Sequence, residues 1–167
     1  MMARLSIAAA TAVSLALLST GAAAKTKAKP QIERTAANPN SVISSTAALP
    51  PGSRILYLSG STASPVDPAR PDELGDTRQQ TLSILTKMKA QLEGMGWSMG
   101  DIVKMNVFLV APSPGGRMDS AAMNEVFKTF FGTPEQPNKP TRSTVQVAAL
   151  GRPTTLVEIE GIAAKAP

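Results

Sequence analysis

The clearest hydrophobic pattern lies toward the C-terminal end. Pro140-Thr-Arg-Ser-Thr-Val-Gln-Val-Ala-Ala-Leu150 and Thr155-Leu-Val-Glu-Ile-Glu-Gly-Ile-Ala163 both alternate apolar and polar positions, the period of two expected of strands with one buried face. Gly151-Arg-Pro-Thr154 between them is short and rich in turn formers, which predicts an antiparallel hairpin. Arg142 opens the first strand, and Glu158 and Glu160 sit in the second. An arginine at a strand entrance beside a glutamate on a neighbouring strand can hold a small anion and activate a water next to it. An exposed ion pair worth less than about 1 kcal/mol fits the same residues. Alternation puts Arg142, Thr144 and Gln146 on one face, and Glu158 with Glu160 on one face of their own strand. It leaves open which glutamate approaches Arg142.

The pattern extends upstream. Ser41 to Leu49 is a weak strand candidate, Pro50-Pro-Gly-Ser53 a turn, and Arg54 to Ser59 a short strand ended by Gly60. A loop dense in Ser, Pro, Asp and Gly follows. Asp76 or Thr77 then caps a helix to Met95, in which Leu82, Leu85, Met88, Leu92 and Met95 recur at helical spacing and Gly94 and Gly96 mark the stop. Asp101 to Val110 is a strand with Val103, Met105, Val107 and Leu109 on one face. A second helix, about 118–131, turns Ala122, Met123, Val126, Phe127 and Phe130 inward and halts at Gly132 and Pro134. The order β-β-α-β-α-β-β predicts an α+β domain, two helices covering one face of a mixed sheet.

The N-terminal stretch changes the picture of where the protein acts. Arg4, an uncharged apolar run from Leu5 to Leu18 and the small residues Ala22 to Ala24 read as a secretory signal peptide over residues 1–24. An uncleaved anchor is the alternative, although the run is shorter than the roughly 20 residues of a comfortable span. With cleavage near Ala24 the mature chain is periplasmic or secreted, with no membrane association. Residues 25–40 are polar and aperiodic and are expected to be a flexible lead-in; residues 41–167 form a single domain.

Composition narrows the chemistry. The 167 residues include no Cys and no His, which excludes thiolate nucleophiles, imidazole bases, disulfides and the metal sites built from those ligands. Acid–base work falls to carboxylates, Lys, Tyr or water. Part of the formal charge of +5 lies in Lys25, Lys27 and Lys29 of the tail. With one Trp, one Tyr and four Phe, no basic face interleaved with stacking aromatics emerges, so no nucleic acid is expected as a partner.

Four segments together resemble the RidA/YjgF family of enamine/imine deaminases, also labelled endoribonuclease L-PSP. They are Ile55-Leu-Tyr-Leu-Ser-Gly60; Asp76 to Gly96 followed by Asp101 to Leu109; Met123-Asn-Glu-Val-Phe-Lys-Thr-Phe-Phe131; and Pro140 to Val147 with Val157 to Ala163. The P-x-R-S-x-V-x-V stretch followed by E-I-E-x-I-A is the most specific. The resemblance implies a chorismate-mutase-like fold, a homotrimer with clefts between subunits, and no metal or organic cofactor. It implies hydrolysis of reactive enamines or imines, such as 2-aminoacrylate, to a 2-keto acid and ammonia.

By position, Arg142 matches the arginine that grips the substrate carboxylate, and its planar fork suits a bidentate clamp. Glu158 matches the glutamate that orients water or a proton. Ser59, Gly60 and Thr144 would line the substrate site. Two departures stand out. The family's Tyr in the first strand has no counterpart in Asn38 to Ala48, and Thr144 stands where the family often has Cys. Tyr57, in the following strand, reads as structural. A non-catalytic trimer binding small carboxylates in the same cleft is the alternative function; the endoribonuclease label sits poorly with export.

Overall fold

The computed structural model describes residues 28–167, so the expected leader lies outside the described residues. Its elements are β1 (Glu33–Thr35), β2 (Thr46–Ala48), β3 (Arg54–Thr62), α1 (Thr77–Gly94), a 3-10 turn at Met99–Asp101, β4 (Ile102–Leu109), α2 (Ser120–Phe130), β5 (Thr141–Gln146) and β6 (Val157–Lys165). The fold is α+β, with one strand beyond the expected order. That strand, β1, lies in the stretch expected to be a flexible lead-in, and it pairs antiparallel with β2. Arg34 anchors it by donating to the carbonyl oxygens of Gly100 at 3.1 Å and Ile102 at 3.4 Å. A strand held by backbone pairing and one long side chain leaves no hydrophobic period to read.

β3, β6, β4 and β5 form a sheet in that order; β6 runs antiparallel to β3 and β4, and β5 runs parallel to β4. The expected β5–β6 hairpin is therefore absent. Alternation reports a half-buried strand but not its neighbour. Here α2 acts as the crossover that returns the chain parallel to β4, and residues 147–156 then carry it past β4 to β6.

Both helices pack on one face. Met105, Val107 and Leu109 of β4 and Val157, Ile159 and Ala163 of β6 are buried with Ile84, Leu85, Met88 and Leu92 of α1 and Met123, Val126 and Phe127 of α2. The α1 stripe is rotated from expectation: Leu82 and Met95 are 50% and 46% exposed, while Thr77, Gln80, Thr81 and Ile84 turn inward. Asp76 and Gln79 form a capping box at its start. At its end Gly96, with φ +72°, lets its own N–H reach the Glu93 carbonyl at 3.0 Å and that of Trp97 reach Leu92 at 2.8 Å, a Schellman stop.

The buried Gln80 links α1 to the start of β6. Its Nε2 donates to the carbonyls of Gly75 at 2.8 Å and Thr154 at 2.9 Å, and its Oε1 accepts from the backbone N–H of Leu156 at 2.8 Å and Val157 at 3.3 Å. That satisfies the whole capacity of the amide. Among the described residues the other sheet face is uncovered. Tyr57, expected to be structural, stands on it 74% exposed, with the exposed Ile55 on the same strand and Val145 at the far edge.

Candidate active site

The parallel register sets Arg142 beside Met105 and Thr144 beside Val107, so both project toward the helix-covered face. Arg142 reaches over α2. Its Nη2 donates to Asn124 Oδ1 at 2.7 Å, its Nη1 lies 3.5 Å from Met123 Sδ, and its Cζ sits 4.3 Å from the centre of the Phe127 ring. Contact with the negative face of an aromatic ring stabilises a partly desolvated cation. Among the described residues no carboxylate pairs with it. Burial lowers its pKa from the ordinary guanidinium value to about 10, which leaves it charged at neutral pH. Thr144 shares this face, and its Oγ1 is buried with no hydrogen-bond partner among the described residues.

Glu158 and Glu160 belong to the opposite, uncovered face. Glu158 lies beside Thr62 of β3 and Phe108 of β4, and Glu160 beside Asn106. The β3–β6 ladder shifts register between Leu58 and Ser61, which leaves Ser59 and Gly60 outside the regular pairing. The bulge brings Gly60 against the Glu158 carboxylate: a Cβ added there would stand 2.1 Å from Glu158 Oε1. A side chain at position 60 would push that carboxylate out of its place. Glu158 lines a cleft of about 390 Å³ with Thr62, Ser64, Leu74, Arg152 and Thr155. Glu160 faces another, with Tyr57, Ser59 and Lys104, and accepts from Asn106 Nδ2 at 2.8 Å.

The expected site residues therefore fall into separate groups. Arg142 and Thr144 are on one face at the β5 edge; Gly60 and Glu158 are together beyond β4, and Ser59 lines the separate cleft of Glu160. The question of which glutamate approaches Arg142 has a different answer from the one a hairpin would give: within one chain neither does, because β4 lies between β5 and β6. The stretch without the family Tyr is tied to the start of β5. Ser44 Oγ donates to the Lys139 carbonyl at 2.7 Å, and Lys139 Nζ donates to the Ser41 carbonyl at 2.6 Å.

The family model described as Endoribonuclease L-PSP matches residues 36–165. The chain belongs to the endoribonuclease L-PSP family. Among its relatives, the putative reactive intermediate deaminase TdcF of Escherichia coli is 39% identical over 111 residues, 66% of this chain and 79% of that one. The 2-iminobutanoate/2-iminopropanoate deaminase of Dermatophagoides farinae is 38% identical over 109 residues, 64% of this chain and 75% of that one. The crystal structure of E. coli TdcF with bound serine matches with TM-score 0.54 and 36% identity, covering 71% and 85% of the two chains. RidA from an Antarctic Psychrobacter matches with TM-score 0.54 and 29% identity over 83% and 100%. Deamination of reactive imines and enamines is thus an activity of this L-PSP family.

Three residues around these groups carry little signal in the sequence. Asn124 was hidden inside the apolar stripe of α2, although a poor helix former in mid-helix signals a polar task. Phe127 read as core, and it is core, but one ring face also supports the guanidinium. Arg152 sat in the supposed hairpin turn; the cleft it shares with Glu158 depends on a loop path that alternation does not encode.

Proposed function

We propose that the protein hydrolyses reactive 2-imino acids and their enamine tautomers, 2-aminoacrylate-like compounds, to 2-keto acids and ammonia. Arg142 carries this reading: a half-buried cation, supported by a ring and a neutral amide and with no carboxylate partner among the described residues, suits an incoming carboxylate. The imine carbon is already electrophilic, so the protein has to hold the substrate, position a water and carry its protons to the nitrogen. As water oxygen adds to the imine carbon, Glu158 takes one proton from the water and passes it to the nitrogen, giving a carbinolamine. Glu158 then carries the hydroxyl proton to the amine; the C–N bond breaks, and ammonia leaves as the carbonyl forms. No cofactor enters this scheme.

Because Arg142 and Glu158 lie on opposite sheet faces, the scheme requires Arg142 and Thr144 of one chain to meet Ser59, Gly60 and Glu158 of another. A homotrimer with clefts between subunits meets that requirement. Export is part of the proposal, resting on the pattern of residues 1–24. Protein from the periplasmic fraction should begin near Lys25, and an intact Met1 there would overturn it.

The decisive assay generates a 2-imino acid in situ with an amino-acid oxidase and follows ammonia release. Wild type should accelerate it, and Arg142→Ala should not. A wild-type rate equal to that of buffer would sink the deaminase reading. The absence of Tyr from Asn38 to Ala48 favours a second reading, a carboxylate-binding protein without turnover. Thermal stabilisation by 2-oxobutyrate with no ammonia release would select it.

A further inference from the structure

We propose that Asn124 is a positioning residue for the carboxylate clamp: its neutral amide oxygen fixes the Arg142 guanidinium while leaving the full positive charge for the substrate. The inference rests on the deaminase reading above and goes beyond it to the group that sets the clamp. Asn124 and Phe127 are three residues apart in α2, so they share one side of the helix. A single rigid element thus presents both a ring beneath the cation, 4.3 Å from Cζ, and an acceptor beside it, 2.7 Å from Nη2.

An arginine side chain left to itself samples many rotamers, and ordering it on binding would subtract from affinity. The Asn124 bond meets that ordering requirement before the substrate arrives. It uses one of five guanidinium donors, and the Met123 sulfur engages a second only weakly. Enough donors remain for a two-pronged grip on a carboxylate. The acceptor must also be neutral. An aspartate here would form an internal ion pair, fill the fork and cancel the charge that the substrate needs.

A merely structural role for Asn124, joining α2 to β5, makes the opposite forecast. Replacing the amide by a carboxylate would then strengthen the contact and change nothing else. Asn124→Asp is nearly isosteric, so the two roles separate cleanly. With the positioning role, Asn124→Asp melts at or above the wild-type temperature. Its KM for the imino acid and its Kd for 2-oxobutyrate rise about tenfold or more, with kcat within about twofold.

Asn124→Ala, favourable for the helix, carries the same test should the aspartate variant not fold. It loses orientation without gaining charge, and its Kd should rise by about tenfold. Either variant binding 2-oxobutyrate as tightly as wild type would overturn the inference and leave the deaminase reading standing. A wild type that neither binds 2-oxobutyrate nor releases ammonia would instead overturn the deaminase reading and this inference with it.

Discussion

Burying a guanidinium without a carboxylate partner opposes folding, and the ring of Phe127 and the amide of Asn124 offset that only in part. Arg142 should therefore be more useful than stabilising. The sign follows from its pKa, lowered by burial to about 10. The charged form is disfavoured in the folded state, so the penalty is fully present at neutral pH and lifts only as pH rises above about 10 toward the ordinary guanidinium value. Arg142→Met should abolish ammonia release yet be as stable as wild type in urea, or more stable by up to about 1 kcal/mol. That difference should be flat between about pH 6 and pH 9. A clear loss of stability would mean that Arg142 is a structural strut. Gly60 makes the complementary case. Gly60→Ala drives a Cβ into the Glu158 carboxylate, the mobile end of a partly exposed side chain. It should cost under about 1 kcal/mol of stability but lower kcat by up to about 10²-fold through misplacement. Arg142 and Glu158 stand out in the sequence because their motifs do. The dependence of Glu158 on Gly60 does not, since it arises from a register shift between two strands distant along the chain.

At the scale of elements, period and turn or capping residues were enough to place both helices and the strands β3 to β6: the helices, β4 and β6 each have a buried stripe, and β3 and β5 are bounded by turn-rich segments. Partnership between strands was not legible. Alternation in β5 and β6 is equally compatible with a hairpin and with separation by β4, and the short turn-rich link favoured the wrong answer. What decides is α2, which closes a parallel crossover and seats β5 against β4. The link 147–156 is held instead by Gln80, whose amide spans α1, the Thr154 carbonyl and the first N–H groups of β6. In sequence it is one more polar residue on a helix. Gln80→Leu keeps the volume but removes the partner of two carbonyls and two N–H groups, three of these contacts only partly buried, so it should cost about 1 to 3 kcal/mol. Urea unfolding measures this directly, and a change below about 1 kcal/mol would mean that water replaces the amide. Because β6 begins at Val157, catalytic rate should fall with the Glu158 position even under conditions where the variant remains folded.

For the whole molecule, the separation of Arg142 from Glu158 has a consequence that a single-chain site would not share. One face of the sheet is covered by helices and carries Arg142 at its edge. The other is bare, carries Glu158, and exposes Ile55, Tyr57 and Val145. A closed ring of identical chains can bring the first kind of surface against the second at every interface, since each contact repeats around the axis. Arg142→Ala and Glu158→Gln homotrimers should each be inactive, for each lacks one half of every cleft. Mixed by co-refolding in equal amounts, they should regain activity. A cleft works when its arginine side comes from the Glu158→Gln chain and its glutamate side from the Arg142→Ala chain. With random assembly that happens at about one cleft in four, so recovery should approach about a quarter of the wild-type rate per chain. Sedimentation fixes the oligomer size in the same samples. Trimers that mix yet recover nothing would place Arg142 and Glu158 in separate functions, leaving Arg142 as a carboxylate site without its proton carrier.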